Sequence, residues 1–164
     1  MDAETLKTLQ APLKAKYQEN PEAAVITLKA SGELGSEQLV CSVETGKALV
    51  EAGLHPATGG DGTQACSGDM LLQALVACAG VTLVAVATAL EIDLKDGRVH
   101  AEGDLDFRGT LGVDKKVPVG FRDIRLSFDT DADGEKIATL MKLTERYCVV
   151  YQTLISPPPV TVSY

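Results

Sequence analysis

Hydrophobic positions along this chain change rhythm several times, and each change marks an element. Over residues 3–19, Leu6, Leu9, Leu13 and Tyr17 recur at helical spacing, predicting a surface helix that stops at Asn20-Pro21, with Pro12 as its kink point. "AAVITLKA" (23–30) and "QLVCSVE" (38–44) read as two strands, joined through "SGELGSE" as a hairpin. Leu39, Cys41 and Val43 share one face of the second strand, so Cys41 is expected in the core. Residues 46–68 show no periodicity and carry glycines, Pro56 and Asp61-Gly62. An irregular stretch of that length is more often functional than accidental.

The next segment, Met70–Leu90, is apolar almost throughout, interrupted mainly by Gln73, Thr82 and Thr88. It is long enough to span a bilayer. However, it is rich in Ala and Gly and is flanked by Asp69 and Glu91 rather than by basic or aromatic anchors. The expectation is a helix buried at the centre of the protein, with Ser67 as N-cap and Asp69 in the first turn. "RVHAEGDLDFR" (98–108) alternates strictly, as a strand with one wet face does. A second alternating run follows at 120–131, with Phe121 out of phase and "TLGVDKKVP" between the two. In "DADGEKIATLMKLTERYC" helical spacing returns. Ile137, Leu140, Met141, Thr144, Tyr147 and Cys148 fall near one stripe, which turns Cys148 toward the core. "VVYQTL" reads as a separate short helix, "SPPP" as its stop and "VTVSY" as a final edge strand. Helices and strands do not alternate one for one, so the fold class is α+β. One domain covers 1–164, with residues 1–20 as a helical extension.

Composition narrows the function. The formal net charge is −8, with no basic patch, which disfavours nucleic acid and anionic membrane surfaces as partners. The amino-terminal stretch is charged and lacks an apolar signal-peptide core, so a cytoplasmic location is expected, with thiols kept reduced. The four cysteines (Cys41, Cys66, Cys78 and Cys148) form no C-x-x-C pair, and only His55 and His100 could add imidazoles. No metal site and no cofactor are expected. "HPATGGDGT" lacks the ending of a P-loop.

Cys78 lies deep in the long apolar helix and Cys148 closes the stripe of a later one. If those helices pack face to face, two thiols converge. Converging thiols suit a peroxidase cycle, in which one becomes a sulfenic acid, the other condenses with it, and a dithiol reduces the bridge. A reactive thiol in apolar surroundings needs a cation or hydrogen-bond donor beside it. His55, Arg108 and Arg146 are the cationic candidates, with Arg146 expected to point away from Cys148. Cys66, nearer the helix start, is a further candidate nucleophile.

"SGDMLLQALVACAGVTL" (67–83) resembles the central helix of the OsmC/Ohr family. "TERYCVVYQTL" (144–154) resembles that family's second signature, a cysteine followed by Pro-Val-Ser or a variant and a short helix. The resemblance spans roughly residues 22–163, with the motifs in the family's order. It implies curved antiparallel sheets around two central helices, in an intertwined homodimer with active sites at the interface. It also implies a thiol-dependent peroxidase of organic or hydrogen peroxides, in which Cys78 is the peroxidatic cysteine and Cys148 the resolving one. The expected partners are a small-molecule peroxide and a dithiol reductant. The sequence departs from the family pattern at its activating groups. Residues 17–52 contain no arginine, Asp69 is the only acidic residue at the helix start, and Val149 stands in the proline slot. Asp69 and His55 are therefore the residues expected to orient or activate Cys78. The alternative is an OsmC-fold protein without efficient peroxidase activity, binding a small hydrophobic or electrophilic ligand at the dimer interface.

Overall fold

The computed structural model describes residues 2–20, 32–34, 40–44, 49–94, 97–130 and 134–164. The expected strand at 23–30 lies outside the described residues. The chain contributes to two compact units that interleave in sequence. One gathers the described parts of Met1–Ile26, Ala74–His100 and Ser127–Tyr164, and the other those of Thr27–Gln73 and Ala101–Leu126.

In the second unit, strands β1 (Gly32–Leu34), β2 (Val40–Glu44), β3 (Leu49–Gly53) and β4 (Ala65–Cys66) form one sheet in that order. The pairs β1–β2 and β2–β3 are antiparallel, with Cys41 opposite Leu34 and Ala52. The last pair, β3–β4, is parallel and sets Gly53 beside Cys66. Two expectations change here. Gly32–Leu34 is strand rather than turn, and β3 lies inside the stretch expected to be irregular. "LVEAG" is too short to show a period of its own and gains its conformation from pairing with β2. Among the described residues the irregular part narrows to 54–64, which contains a 3-10 turn at Pro56–Thr58. The facing of the Cys41 side chain lies outside the described residues.

Strands β5 (Gly97–Asp104) and β6 (Asp123–Thr130) form a two-stranded sheet. Its inward positions are half-buried at every second residue, as the alternation predicts. Alternation does not continue to Arg108, because Asp106 caps a short helix α3 (Phe107–Thr110) by accepting the Arg108 N–H. Phe121 precedes β6 and lays its ring over Gly103, where a Cβ would lie 2.6 Å from the ring. That explains both the glycine and the out-of-phase phenylalanine.

In the first unit, helix α1 (Ala3–Glu19) starts with Asp2 accepting the Thr5 N–H at 2.7 Å and carries Pro12 inside it. Helix α2 (Ser67–Ala89), which belongs to this unit from Ala74 onward, is long and apolar enough, by length and composition, to cross a membrane. Leu75, Ala79, Leu83 and Ala87 are buried at four-residue intervals and make one face. Leu83 and Ala87 pack with Leu140 of α4 (Gly134–Tyr147), surrounded by Val86, Ile92, Leu94, Phe128 and Met141. The other face is open: Val81 is 73% exposed and Val84 59%. A helix buried on all sides is therefore not what one chain provides. Helix α5 (Val149–Ile155) follows α4 directly, as the sequence predicts. The tail 156–164 forms no strand, and Val160, Val162 and Tyr164 are exposed.

Candidate functional site

The junction of α4 and α5 builds one wall of the site. Cys148 donates its N–H to the Thr144 carbonyl at 2.9 Å, so it closes the last turn of α4. Its own backbone is extended (φ −73°, ψ 106°), which breaks the helix and makes it the N-cap of α5. The Cys148 side chain caps none of the N–H groups of its own helix. The first N–H groups of a helix have no internal partners and carry partial positive charge. Those of Val149 and Val150 are aimed instead at the sulfur of Cys78.

Cys78 supplies the opposite wall from α2, in the same unit. It is half-buried next to fully buried Ala79. Thr82, one helical turn further on, directs its hydroxyl to the same sulfur. Burial pushes the Cys78 thiol up in pKa, but the donors outweigh it. The Val150 N–H, the Cys148 thiol, the Val149 N–H and the Thr82 hydroxyl together hold it below the ordinary thiol value. For Cys148, 1% exposed, the balance is reversed. Burial pushes it up. The Tyr151 and Val150 N–H groups pull it down, but the neighbouring Cys78 sulfur and its charge add to the rise. The pair is therefore asymmetric, with Cys78 the more acidic thiol and Cys148 the less acidic one beside it. Cys66, Cys78 and Cys148 are all free.

No residue pattern marks these backbone donors, because they belong to the start of a helix far along the chain from Cys78. Thr82 did leave a signal, as a polar residue inside an apolar run one turn from Cys78.

The other candidates each make local contacts of their own. Asp69 is exposed in the first turn of α2. His55 accepts the Ala57 N–H at Nδ1 (3.0 Å), capping the 3-10 turn, and stacks on Phe107 with ring centroids 4.9 Å apart. Arg108 grips Asp106 through two nitrogens, at 2.9 and 2.6 Å. Asp106, held by Arg108 and Arg122, titrates at about 2. Arg146 lies over the Tyr147 ring at 5.8 Å. Cys66 is half-buried in β4. Among the described residues, no three His, Cys, Asp or Glu side chains are grouped as metal ligands would be.

Known proteins share this architecture. Three solved structures illustrate it. An OsmC-like protein from Mycoplasma pneumoniae is 16% identical with a TM-score of 0.66, covering 80% of this chain and 89% of its own. An organic hydroperoxide resistance protein OsmC from Legionella pneumophila is 17% identical with a TM-score of 0.63, covering 81% and 92%. The organic hydroperoxide resistance protein OhrB of Bacillus subtilis is 21% identical with a TM-score of 0.57, covering 82% and 94%. No curated protein sequence matches the chain. The family model described as OsmC-like protein matches residues 60–163, which contain both cysteine segments. With that match and the shared α+β fold, the chain belongs to the OsmC-like protein family, as a divergent member of the OsmC/Ohr group.

Proposed function

We propose that the protein is a cysteine-based peroxidase that reduces organic or hydrogen peroxides in the cytoplasm. The observation that carries this reading is the asymmetric pair: two neighbouring cysteines on facing helices, with backbone and hydroxyl donors lowering the pKa of Cys78 and burial raising that of Cys148. A thiolate is the nucleophile that cleaves an O–O bond, and a neighbouring thiol can close the cycle. Cys78 attacks the peroxide and becomes a sulfenic acid, releasing an alcohol or water. Cys148 then displaces water to form a disulfide. A dithiol reductant returns both thiols, becoming a disulfide itself. The α5 N–H groups and Thr82 take the place of a cation in this scheme. The names of the Legionella and Bacillus structures, as organic hydroperoxide resistance proteins, favour the same substrate class.

The working form in this reading is a homodimer. Ala74, Ala77, Val81 and Val84 lie along one exposed apolar face of α2. That face flanks Cys78, so a second copy covering it would also shelter the thiolate from water. Peroxide consumption with a dithiol reductant tests the function. Cys78→Ser is expected to abolish turnover, and Cys148→Ser to leave a single oxidation without turnover. Equal turnover in wild type and Cys78→Ser rejects the reading. If a stoichiometric hydroperoxide removes no thiol from the wild type, the chain is a binder of this fold instead.

A further inference from the structure

Thr144 sits one turn before Cys148, and its carbonyl accepts the Cys148 N–H at 2.9 Å. Both residues are 1% exposed. Its hydroxyl oxygen is buried and has no hydrogen-bond partner among the described residues. Helical threonines usually find one in the carbonyl four residues back. Thr88 and Thr153 do so here, to Val84 and Val149, both at 2.8 Å. The Thr144 hydroxyl makes no such bond. Valine has the same shape and would fill the position with no unmet polar atom. A buried hydroxyl left unpaired one turn from a reacting thiol therefore calls for a chemical partner.

We propose that Thr144 is a positioning residue for the second half of the cycle, where its oxygen receives the S–H of Cys148 after Cys78 has been oxidised. The inference rests on the peroxidase reading above. Before oxidation, the Cys148 S–H points at the Cys78 thiolate. Attack on a hydroperoxide forms the Cys78 S–O bond and breaks the O–O bond. The alkoxide leaves and takes a proton from water. Cys78 is then an uncharged sulfenic acid, and the Cys148 proton has lost its anionic acceptor. For the sulfurs to bond, a lone pair of Cys148 must face Cys78 and its proton must turn elsewhere. The Thr144 oxygen is a buried acceptor one helical turn before Cys148. As the S–S bond forms and the S–O bond breaks, the leaving hydroxide takes the Cys148 proton and departs as water. Thr144 keeps its own proton throughout.

The test treats the full chain with one equivalent of tert-butyl hydroperoxide. It follows the Cys78 sulfenic acid with a 1,3-dione trap and the Cys78–Cys148 disulfide by mass spectrometry. For Thr144→Val, sulfenic acid is expected at the wild-type rate, with disulfide formation at least tenfold slower and more adduct trapped. Thr144→Ser should restore resolution. The melting temperature of Thr144→Val should be unchanged or higher, which separates this effect from a merely structural one. Wild-type resolution in Thr144→Val, or equal slowing of both steps, overturns the inference and leaves the peroxidase reading standing. If Thr144→Val does not fold, Thr144→Ala is read by the same two rates. A wild type that forms no Cys78 sulfenic acid removes the peroxidase reading itself, and this inference with it.

Discussion

Val149 occupies the slot where the family's second motif carries proline, and the difference is one hydrogen-bond donor. Proline at this first position of α5 would fit, since its ring suits a helix start and the extended Cys148 backbone is what a residue before proline adopts. Val149→Pro therefore removes one N–H from the Cys78 sulfur while sparing the helix. The expected result is a higher Cys78 pKa and a lower thiolate fraction at neutral pH. Alkylation by iodoacetamide against pH checks it. In the wild type, Cys78 should reach full reactivity at lower pH than a free cysteine, while Cys148 stays protonated and unlabelled. In Val149→Pro the Cys78 profile should move to higher pH. An unmoved profile would mean that the Val149 N–H contributes nothing.

At the scale of elements, the end of α2 shows how a chain stops a long apolar helix without glycine. The Ile92 N–H reaches back to the Ala87 carbonyl at 2.9 Å and the Glu91 N–H to that of Thr88 at 3.2 Å. This double closure needs a left-handed residue between, and Glu91 takes it with φ 54°. Ile92 then packs on the same cluster as Ala87. A side chain at positive φ is strained, so Glu91→Gly should stabilise the protein by about 0.5–1 kcal/mol, seen as a higher denaturation midpoint. Elements of this kind were legible in the sequence to different degrees. Helices α2 and α4 declared themselves by length and period, and the break before α5 by the change of pattern at Cys148. Strand β3 did not, because its five residues take their shape from β2. Alternation ran on through Phe107 in sequence, but the Asp106 carboxylate ended the strand by capping α3. In the site, both sulfurs could be read from their motifs. The N–H groups that charge one of them could not, because a backbone donor leaves no mark on residue identity.

For the whole molecule, the exposed face of α2 is the feature a single chain leaves unexplained. Val81 points outward, so Val81→Asp should leave the packing within each chain intact. Under the homodimer reading it should convert a dimer into a folded monomer, measured by light scattering on a sizing column. It should also slow Cys78 oxidation. A wild type that is already monomeric at working concentration would remove that reading. The tail beyond Pro159 belongs to the same question, since Val160 and Val162 alternate as strand residues do yet remain exposed in one chain. The α5 amides that hold charge on Cys78 have a final consequence, for redox poise. Every donor that steadies the thiolate lowers the energy of the dithiol form and leaves the bridged form without that gain. Such a couple is oxidising. Under the peroxidase reading, its bridge accepts electrons readily from modest reductants, so that recharging the protein need not be the slow part of its work.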